Sequence, residues 1–227
     1  NSTNATIFNG SSTQIISGSG TSNFQNFSVT NSNGININDA NHTINCTGTV
    51  DFAGDFQNDG IFISTATTTF NGSSQQDISG TGTNTFYNLT LNNSSGLRFV
   101  NGTDTIREIL KTDNGNFTNL GAEVILSSYE DGSAGQLDNL GSNSYIGNIT
   151  VQRKLITGPN QGHRMISSPV ASTTLSDWMD DGVLFAGFTG SDLPTSSWVN
   201  AYYYNPSLVG DGEHIDSGWV AVSNITH

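Results

Sequence analysis

The chain has 227 residues and carries 19 Asp and Glu against six Lys and Arg, a formal net charge of −13 at pH 7. So few cations argue against nucleic acid as a partner, because binding phosphates requires clustered Lys and Arg, and against docking on an anionic membrane surface. No apolar run reaches the length of a transmembrane helix, so we expect no direct membrane insertion. Twelve Phe, interspersed with Ile, Leu and Val, provide apolar side chains to bury, which favours an ordered β protein with a polar surface.

The first hundred residues contain a duplication. Residues 6–38 align without gaps on residues 68–100, and 17 of the 33 positions are identical. The identical pairs lie 62 positions apart and include Phe8 and Phe70, Gly18 and Gly80, Phe24 and Phe86, and Gly34 and Gly96. Repetition at a fixed interval is the sequence signature of a repeat architecture. The chain begins inside this repetitive stretch, and we expect it to be a piece of a longer protein.

Within each copy, apolar and polar residues alternate with a period of two. Phe27 and Val29 share one face of a predicted strand, and Leu89 and Leu91 do so in the second copy. Gly, Asn and Ser separate these short strands as turn residues. About sixty residues divide into three coils of about twenty, which predicts an all-β chain whose N-terminal part is a β-solenoid, similar to a β-helix. The alternative is a pair of β-sandwich domains of about 62 residues each, a small size for that fold.

Asn, Thr and Gly have a defined place in such a solenoid. Asn and Thr at the turns are expected to form hydrogen bonds between coils, and Gly supplies corners with a left-handed backbone. The inward aliphatic residues and Phe form the central stack. The repeat is then the wall of a rod, and it predicts a scaffold without a site.

The composition changes after residue 157. All four Pro, all three Trp and both Met follow this point, whereas ten of the twelve Phe precede residue 118. We therefore predict duplicated solenoid repeats over residues 1–123, a solenoid cap or connector over 124–157, and a complete or incomplete β-sandwich-like domain over 158–227. Three residues of the connector are candidate core positions: Ile146, Ile149 and Val151.

The predicted elements of the last part are few. Residues 163–170 are typical of a strand, and residues 196–206 and 217–223 of strands rich in aromatic residues. Residues 173–183 predict the one helix, with Thr174 or Ser176 as N-cap and Gly182 as its end.

Several motifs follow one another in a fixed order. They are the stretches ILSS…GSAGQL (125–137), GNITVQRKL (147–155), GHRMISSPV (162–170), LSDW (175–178), YYYNP (202–206) and GWVAV (218–222), preceded by the repeats FQNFSV (24–29) and FYNLTL (86–91). Together they resemble repeat-containing, adhesin-like surface and secreted proteins of the Bacteroidota, which are often cargo of the type IX secretion system. This resemblance implies an extracellular or cell-surface protein that is often adhesive and very long, and it carries no catalytic motif.

Carboxylates are the first candidates for chemistry. Asp51, Asp55 and Asp59 are closely spaced, and a β-helix enzyme acting on carbohydrates places such groups on neighbouring coils. Acid–base catalysis requires carboxylates at defined separations together with a suitable partner. No basic residue lies near these three in sequence, so solvated surface carboxylates are the favoured interpretation and no catalytic residue is predicted.

Metal ligands are the second candidates. Residues 58–60, 180–182 and 210–216 offer oxygen ligands in turns that contain Gly, so calcium is a candidate ion, although Asx turns explain these stretches equally well. The four His are far apart and match no zinc motif. The single cysteine, Cys46, has no partner for an intramolecular disulfide and is interpreted as a small buried residue of a coil.

Aromatic residues and one threonine complete the candidates. Five aromatic residues could present their faces to a surface glycan, namely Trp198, Tyr202, Tyr203, Tyr204 and Trp219, and we select Trp198, Tyr203 and Trp219 as the candidate glycan-binding residues. Alternating aromatic residues in strands more often pack a sandwich core, which is the favoured interpretation. The triplet of residues 104–106 matches the short motif for O-glycosylation in the Bacteroidota, which makes Thr105 a candidate modification site.

These patterns favour a non-enzymatic structural and adhesive module of a large bacterial surface or secreted protein. We expect it to act as a stalk or a segment of an extracellular fibre, with other copies of itself or neighbouring domains of the same protein as partners. The alternatives are a carbohydrate-binding module, a subunit of a self-assembling extracellular filament, and a β-helix enzyme.

Overall fold

The computed structural model describes residues 5–129, 133–154, 168, 171–205, 207–208 and 218–226. The protein is all-β, with 4% helix, and its parallel sheets stack as a β-solenoid of about seven turns spaced by about 21 residues. The predicted solenoid is therefore confirmed, and the alternative pair of β-sandwich domains is wrong. The chain divides into two compact units, Asn1–Gln161 and Gly162–His227.

Eighteen strands form the first unit. In chain order they are β1 (Ala5–Phe8), β2 (Gln14–Ile16), β3 (Gly20–Phe24), β4 (Asn26–Val29), β5 (Ile35–Ile37), β6 (His42–Cys46), β7 (Val50–Phe52), β8 (Phe56–Asn58), β9 (Ile61–Phe70), β10 (Gln76–Ser79), β11 (Thr83–Asn92), β12 (Leu97–Phe99), β13 (Thr103–Asn114), β14 (Phe117–Asn119), β15 (Glu123–Leu126), β16 (Gln136–Leu137), β17 (Tyr145–Ile146) and β18 (Thr150–Val151). Every pairing among these strands is parallel, because each turn of the solenoid returns the chain in the same direction over the turn before.

Three ribbons of parallel strands run along the solenoid. The first ribbon contains β3, β6, the beginnings of β9, β11 and β13, and then β15 and β18. The second ribbon contains β1, β4, β7, the ends of the same three long strands, and β16. The third ribbon is a separate sheet of seven strands, from β2 to β17. The long strands join the first two ribbons, and the register shifts between Phe86 and Asn88 where one ribbon passes into the next.

The duplication corresponds to three turns of the solenoid. Along the second ribbon, Phe8 pairs with Val29, Val29 with Phe52, and Phe52 with Phe70. Phe8 and Phe70, an identical pair of the duplication, therefore occupy the same position three turns apart. The division of the 62-residue unit into three coils of about twenty residues is confirmed.

Phenylalanine side chains fill the interior from turn to turn. Alternate residues of the strands point inward, and eight Phe in the first unit are fully buried. The Phe52 ring lies 4.6 Å from that of Phe56 in its own turn and 4.9 Å from that of Phe70 in the next, and Phe62 lies 5.7 Å from Phe86. Each buried ring contributes about 1.5–3 kcal/mol of hydrophobic stabilisation, in addition to the aromatic contacts.

The polar residues of the duplication bond one turn to the next. The Asn31 side-chain amide donates to the Ser12 carbonyl at 2.7 Å, and Asn93, 62 positions later, donates to the Ser74 carbonyl at 2.6 Å. The side chain of each Asn also accepts a backbone N–H two residues on, which closes the turn. Buried backbone groups require such partners, so the duplicated Asn residues are structural.

One glycine corner shows how closely the turns approach. Gly34 has a φ of +75°, and a Cβ at this position would overlap the carbonyl of Asp55 in the next turn. Only glycine fits here, because both the left-handed backbone and the contact exclude a side chain.

The connector forms the last turn of the solenoid. Ile149 and Val151 pack against the core, as predicted. The prediction for Ile146 is wrong, because its side chain is 54% exposed. Tyr145 points inward instead, with its ring 6.3 Å from the buried Phe117 with which it pairs in register, so the next residue of β17 points outward.

The second unit contains one short helix and one pair of strands in its described part. Helix α1 (Leu175–Asp180) begins after Thr174, whose backbone N–H and hydroxyl both donate to the Asp177 carboxylate, and Gly182 follows it with a φ of +86°. The predicted helix and its limits are confirmed. Strands β19 (Tyr202–Tyr204) and β20 (Trp219–Ala221) pair antiparallel, which shows the β-sandwich-like region only weakly. The strand predicted at 163–170 lies outside the described residues, apart from Ser168.

Candidate functional site

The β19–β20 pair presents exposed aromatic side chains. Tyr204 pairs in register with Trp219, and their rings meet edge to face at 5.4 Å. Tyr202 lies two residues before Tyr204, so both tyrosines belong to the same side of the strand. All three side chains are exposed, which leaves aromatic surface accessible to a ligand. Aromatic rings are suited to stacking on the apolar faces of sugars.

The structure regroups the residues predicted to bind glycans. Trp219 belongs to the aromatic pair, whereas Tyr203 pairs with Val220 on the opposite side of the hairpin. Trp198 is 62% exposed and lies outside both strands. Tyr202 and Tyr204, which the sequence also marks as aromatic candidates, lie together on the side away from Tyr203, as the period-two alternation of a strand predicts.

The sequence-based preference for a sandwich core at these aromatic positions is wrong. Trp198, Tyr202, Tyr203, Tyr204 and Trp219 are all exposed. The core of the second unit is formed instead around Phe185, Phe188 and Val222, with Trp178 and Met179 of α1 packed against it.

Two of the predicted surface carboxylates bond neighbouring turns. Asp55 accepts the backbone N–H of Asp77 at 2.9 Å, and Asp59 accepts that of Thr81 at 2.9 Å, in both cases from a residue 22 positions later. Burial raises the pKa of Asp55 and the hydrogen bond from the Asp77 N–H lowers it. Burial also raises the pKa of Asp51, which lies on the second ribbon beside Thr69. Asp55 and Asp59 therefore have a structural role, because each carboxylate binds a backbone N–H of the following turn.

One ion pair was not found from the sequence. The Arg98 guanidinium donates to both carboxylate oxygens of Asp77, at 2.6 and 2.7 Å. Asp77 and Arg98 pair in register on the third ribbon, one turn apart, so their spacing of 21 residues is the signal that could have revealed them. The hydrogen bond from Arg98 to Asp77 also raises the pKa of the guanidinium, which stays charged. With Asp55 one turn below, this cluster joins three turns by charge and hydrogen bonds.

Two of the three stretches predicted as calcium candidates lie in the described part of the chain. In residues 58–60, the Asn58 side-chain amide donates to the Gly60 carbonyl, which closes the turn, and to the Asn84 side chain in the interior of the solenoid. Residues 180–182 form the exposed end of α1. Residues 210–216 lie outside the described residues. Within the described ranges, no group of three or more His, Cys, Asp or Glu is placed to hold a metal ion.

Cys46, His42 and Thr105 belong to the first ribbon. Cys46 is buried in the coil interior, as predicted, and burial raises the pKa of its thiol to about 12, so the thiol is unreactive. The buried His42 side chain contacts the Gly18 carbonyl and the Ser22 hydroxyl of the preceding turn. Thr105 lies on the outward side between Thr85 and Ile125, half-buried.

The solenoid wall contains a shallow depression. It is lined by Ser95, Gly96, Asn116, Thr118 and Ile146, together with Gln75 and Ser94, and contains no titratable side chain. The described part of the chain also has no helix with the length and apolar character needed to cross a bilayer. Searches against protein-family models, curated proteins and solved structures give no match to this chain.

Proposed function

We propose that the chain is a non-enzymatic structural and adhesive module of a large bacterial surface or secreted protein, in which the solenoid acts as a stalk or fibre segment. The observation that carries this proposal is the use of the polar residues. Asn31 and Asn93 make the same bond between turns at positions three turns apart, and Asp55 and Asp59, on either side of β8, each accept a backbone N–H from the following turn. Residue types that could bind a ligand are engaged in holding the coils together.

A continuous interior supports a mechanical role. Phe52, Phe70 and the other buried side chains of the first unit form one apolar cluster that extends through successive turns, and parallel strand pairing follows all three ribbons. Because each turn contacts only its neighbours, a load along such a rod passes through every interface between turns, and within each interface the three ribbons and the apolar core share it.

The arrangement of carboxylates supports a non-enzymatic role. A typical glycoside hydrolase requires two carboxyl groups beside the bound sugar, one that donates a proton and one that acts as base or nucleophile. Asp77 is held by Arg98, and one oxygen each of Asp55 and Asp59 accepts a backbone N–H, so these groups are committed to the wall.

The resemblance to surface proteins of the Bacteroidota supports an extracellular location and export of the type IX kind. The acidic charge and the scarcity of cysteine fit the same placement. The partners proposed for the module are neighbouring domains of the parent protein, other copies, and glycans at a surface.

The first test combines proteolysis with assays for cleavage of polysaccharides. We expect thermolysin to leave one fragment close to residues 5–151, because hydrogen bonds and core contacts protect each inner turn. A Phe62→Ala variant is the control that should be cut within the solenoid. Cleavage of the wild-type solenoid into separate turns would contradict a load-bearing role, and new reducing ends or unsaturated products from a polysaccharide panel would contradict the absence of enzymatic activity.

Carbohydrate binding is a second candidate function, favoured by the exposed pair of Tyr204 and Trp219. A glycan that stacks on this hairpin should change tryptophan fluorescence. Trp178 packs against the core, so a Trp178→Phe background leaves the two exposed reporters, Trp198 and Trp219. We expect the response to disappear in Trp219→Ala and to remain in Tyr203→Ala, whose ring lies on the other side. An unchanged response in Trp219→Ala would place binding elsewhere.

A further inference from the structure

The first ribbon presents a long outward surface of short, uncharged side chains. Its strands pair in unbroken register from β3 to β15, so that equivalent residues of successive turns stand in straight ranks. The first outward rank consists of Thr21, Thr43, Ile61, Thr83, Thr103 and Glu123. The second rank lies two residues further along each strand, runs from Asn23 to Thr150, and includes Thr85 and Thr105. We call these two ranks the threonine face.

The threonine face is a product of the folded register. The residue between the two ranks points into the core on each strand, as Phe62 does on β9. The run of three consecutive threonines at residues 67–69 is not part of the face, because Thr68 is buried and Thr69 lies on the second ribbon. Threonines about twenty residues apart in sequence are instead brought side by side by successive turns.

Charge is nearly absent from the threonine face. The chain has 19 Asp and Glu and six Lys and Arg, but among the described residues only Glu123, at one end, belongs to either rank. The outward residues of the second ribbon include Asp51 and Lys111, and those of the third include Asp77 and Arg98. A chain of net charge −13 thus keeps one face neutral, which favours an uncharged ligand.

Several hydroxyls of this face are not used to hold the turns together. At a corner of the solenoid, the Thr81 hydroxyl donates to the preceding turn, and on the face the Thr103 hydroxyl donates to the neighbouring Glu123. Within the described part of the chain, the hydroxyls of Thr83 and Thr85 have no such partner. Because threonine is branched at Cβ and stiff at χ1, these hydroxyls and their methyl groups keep fixed positions.

The spacing of the face repeats in two directions. Neighbouring strands are about 4.8 Å apart, and alternate residues along one strand are about 6.7 Å apart. Both distances are close to repeats of the oxygen lattice of hexagonal ice. The face therefore matches a regular crystal surface better than it matches a single small molecule.

The size of the face argues against a protein partner. Its six strands from β3 to β15 span about 24 Å, and with a width of about 10 Å the face covers about 250 Å². A stable protein interface buries about 800 Å² on each partner. A second copy of the chain would gain too little area here, whereas a crystal that fits both repeats contacts many positions without ordering any side chain.

We propose that the threonine face binds the surface of ice. The methyl groups order the water beside them and the hydroxyls hydrogen-bond to it, so the bound water takes the spacing of the lattice and joins the crystal. Ile61 and Ile63 interrupt the hydroxyls in one turn but keep the face branched and uncharged. This inference rests on the proposed adhesive role of the module and gives that role a target.

The direct test measures uptake of the full chain into ice. Ice grown slowly from a cold, dilute solution excludes ordinary solutes and takes up a protein that binds its surface. We expect the wild type to enter the ice, and Thr85→Tyr to lose most of this uptake, because the new ring projects from the second rank. The matched control is Thr90→Tyr, which changes a threonine of the same strand that is also half-buried but lies on the second ribbon, and it should keep the uptake.

A second variant and a second ligand make every outcome decisive. Thr83→Tyr, at an exposed residue of the first rank, repeats the test where a larger side chain disturbs the fold least. Exclusion of the wild type from ice, or equal uptake of the face variants and the control, would overturn the proposal. Retention on powdered cellulose or chitin that Thr85→Tyr abolishes, without uptake into ice, would overturn it in favour of a crystalline polysaccharide.

Thermolysin digestion of the same samples separates this inference from the structural role. A chain that ice excludes but that gives the protease-resistant solenoid fragment would overturn ice binding alone. A chain that ice excludes and whose solenoid is cut into separate turns would overturn the structural role as well.

Discussion

The side-chain amide of Asn84 donates a hydrogen bond to the carboxylate of Asp104 at 2.8 Å, in the interior of the solenoid. Asn58 donates to the Asn84 amide oxygen, also at 2.8 Å, so the three residues form a polar column through three turns. Asp104 is completely buried, and its second carboxylate oxygen has no partner. An acid is therefore held among apolar residues with only one stabilising contact.

Asp104 makes stability depend on pH. Burial raises its pKa from 3.8 to about 7, and the hydrogen bond from Asn84 lowers it in part. The folded protein thus holds the proton more tightly than the unfolded chain, so the free energy of unfolding should fall as pH rises from about 4 to about 7, by up to about 4 kcal/mol. Urea unfolding across this range measures the change.

The Asp104→Asn variant should remove this dependence. It extends the polar column with a neutral amide but buries one donor without a partner, so we expect a gain of about 1–3 kcal/mol above pH 7 and no gain below pH 4. Asp113→Asn, at an exposed residue paired with Lys111, is the control and should change the profile little. Parallel pH profiles of Asp104→Asn and the wild type would contradict a charged, buried Asp104.

Two adjacent residues of β9 should respond very differently to truncation. Phe62 is fully buried between Phe52, Phe56 and Phe86, whereas Ile61 points outward. We expect Phe62→Ala to reduce the free energy of unfolding by about 3–5 kcal/mol, because it leaves a cavity, and Ile61→Ala by less than about 1 kcal/mol. Chemical denaturation of both variants tests the assignment of the two faces, which similar losses would contradict.

The equivalent glycines Gly34 and Gly96 should differ in their tolerance of alanine. Both have positive φ, +75° and +91°, which costs about 1–2 kcal/mol for alanine. At Gly96 the nearest atom to a Cβ is the Asn116 carbonyl oxygen at 3.0 Å, whereas at Gly34 the Cβ would overlap the Asp55 backbone. Gly34→Ala should therefore lower the thermal midpoint more than Gly96→Ala. Equal shifts would mean that the two turns approach equally closely.

Asn93 should be far less replaceable than its neighbour. Its buried amide bonds to Ser74, Gln76 and Ser95, so Asn93→Ala leaves several polar groups without partners and should cost about 1–3 kcal/mol. Asn92→Ala, at an exposed residue, is the matched control. Hydrogen exchange of the Ser95 N–H should accelerate in Asn93→Ala and stay unchanged in Asn92→Ala. Unchanged exchange in Asn93→Ala would contradict the hydrogen bond from the Ser95 N–H to the Asn93 side chain.

The candidate surface of the second unit could be predicted only in part. Aromatic strands were recognised from their composition, and alternation is enough to pair Tyr202 with Tyr204. Their exposure could not be predicted, because a strand with one aromatic side either covers a core or faces solvent, and the choice depends on whether another layer packs against it. Here Phe185 and Phe188 form the core instead.

The solenoid itself was determined by the sequence alone, since its causes are local. Alternation assigns each residue to the inside or outside of a strand, and a 62-residue duplication of such strands requires turns of similar length. Even the inward position of Asp104 follows from its place two residues before Ile106. Which residues meet between turns was decided only by the tertiary structure. Residues that pair between neighbouring turns are 18 positions apart for Val50 and Thr68 but 27 apart for Leu110 and Leu137, because the corners differ in length. Contacts such as that of Asp77 with Arg98 therefore depend on the register of the folded coils.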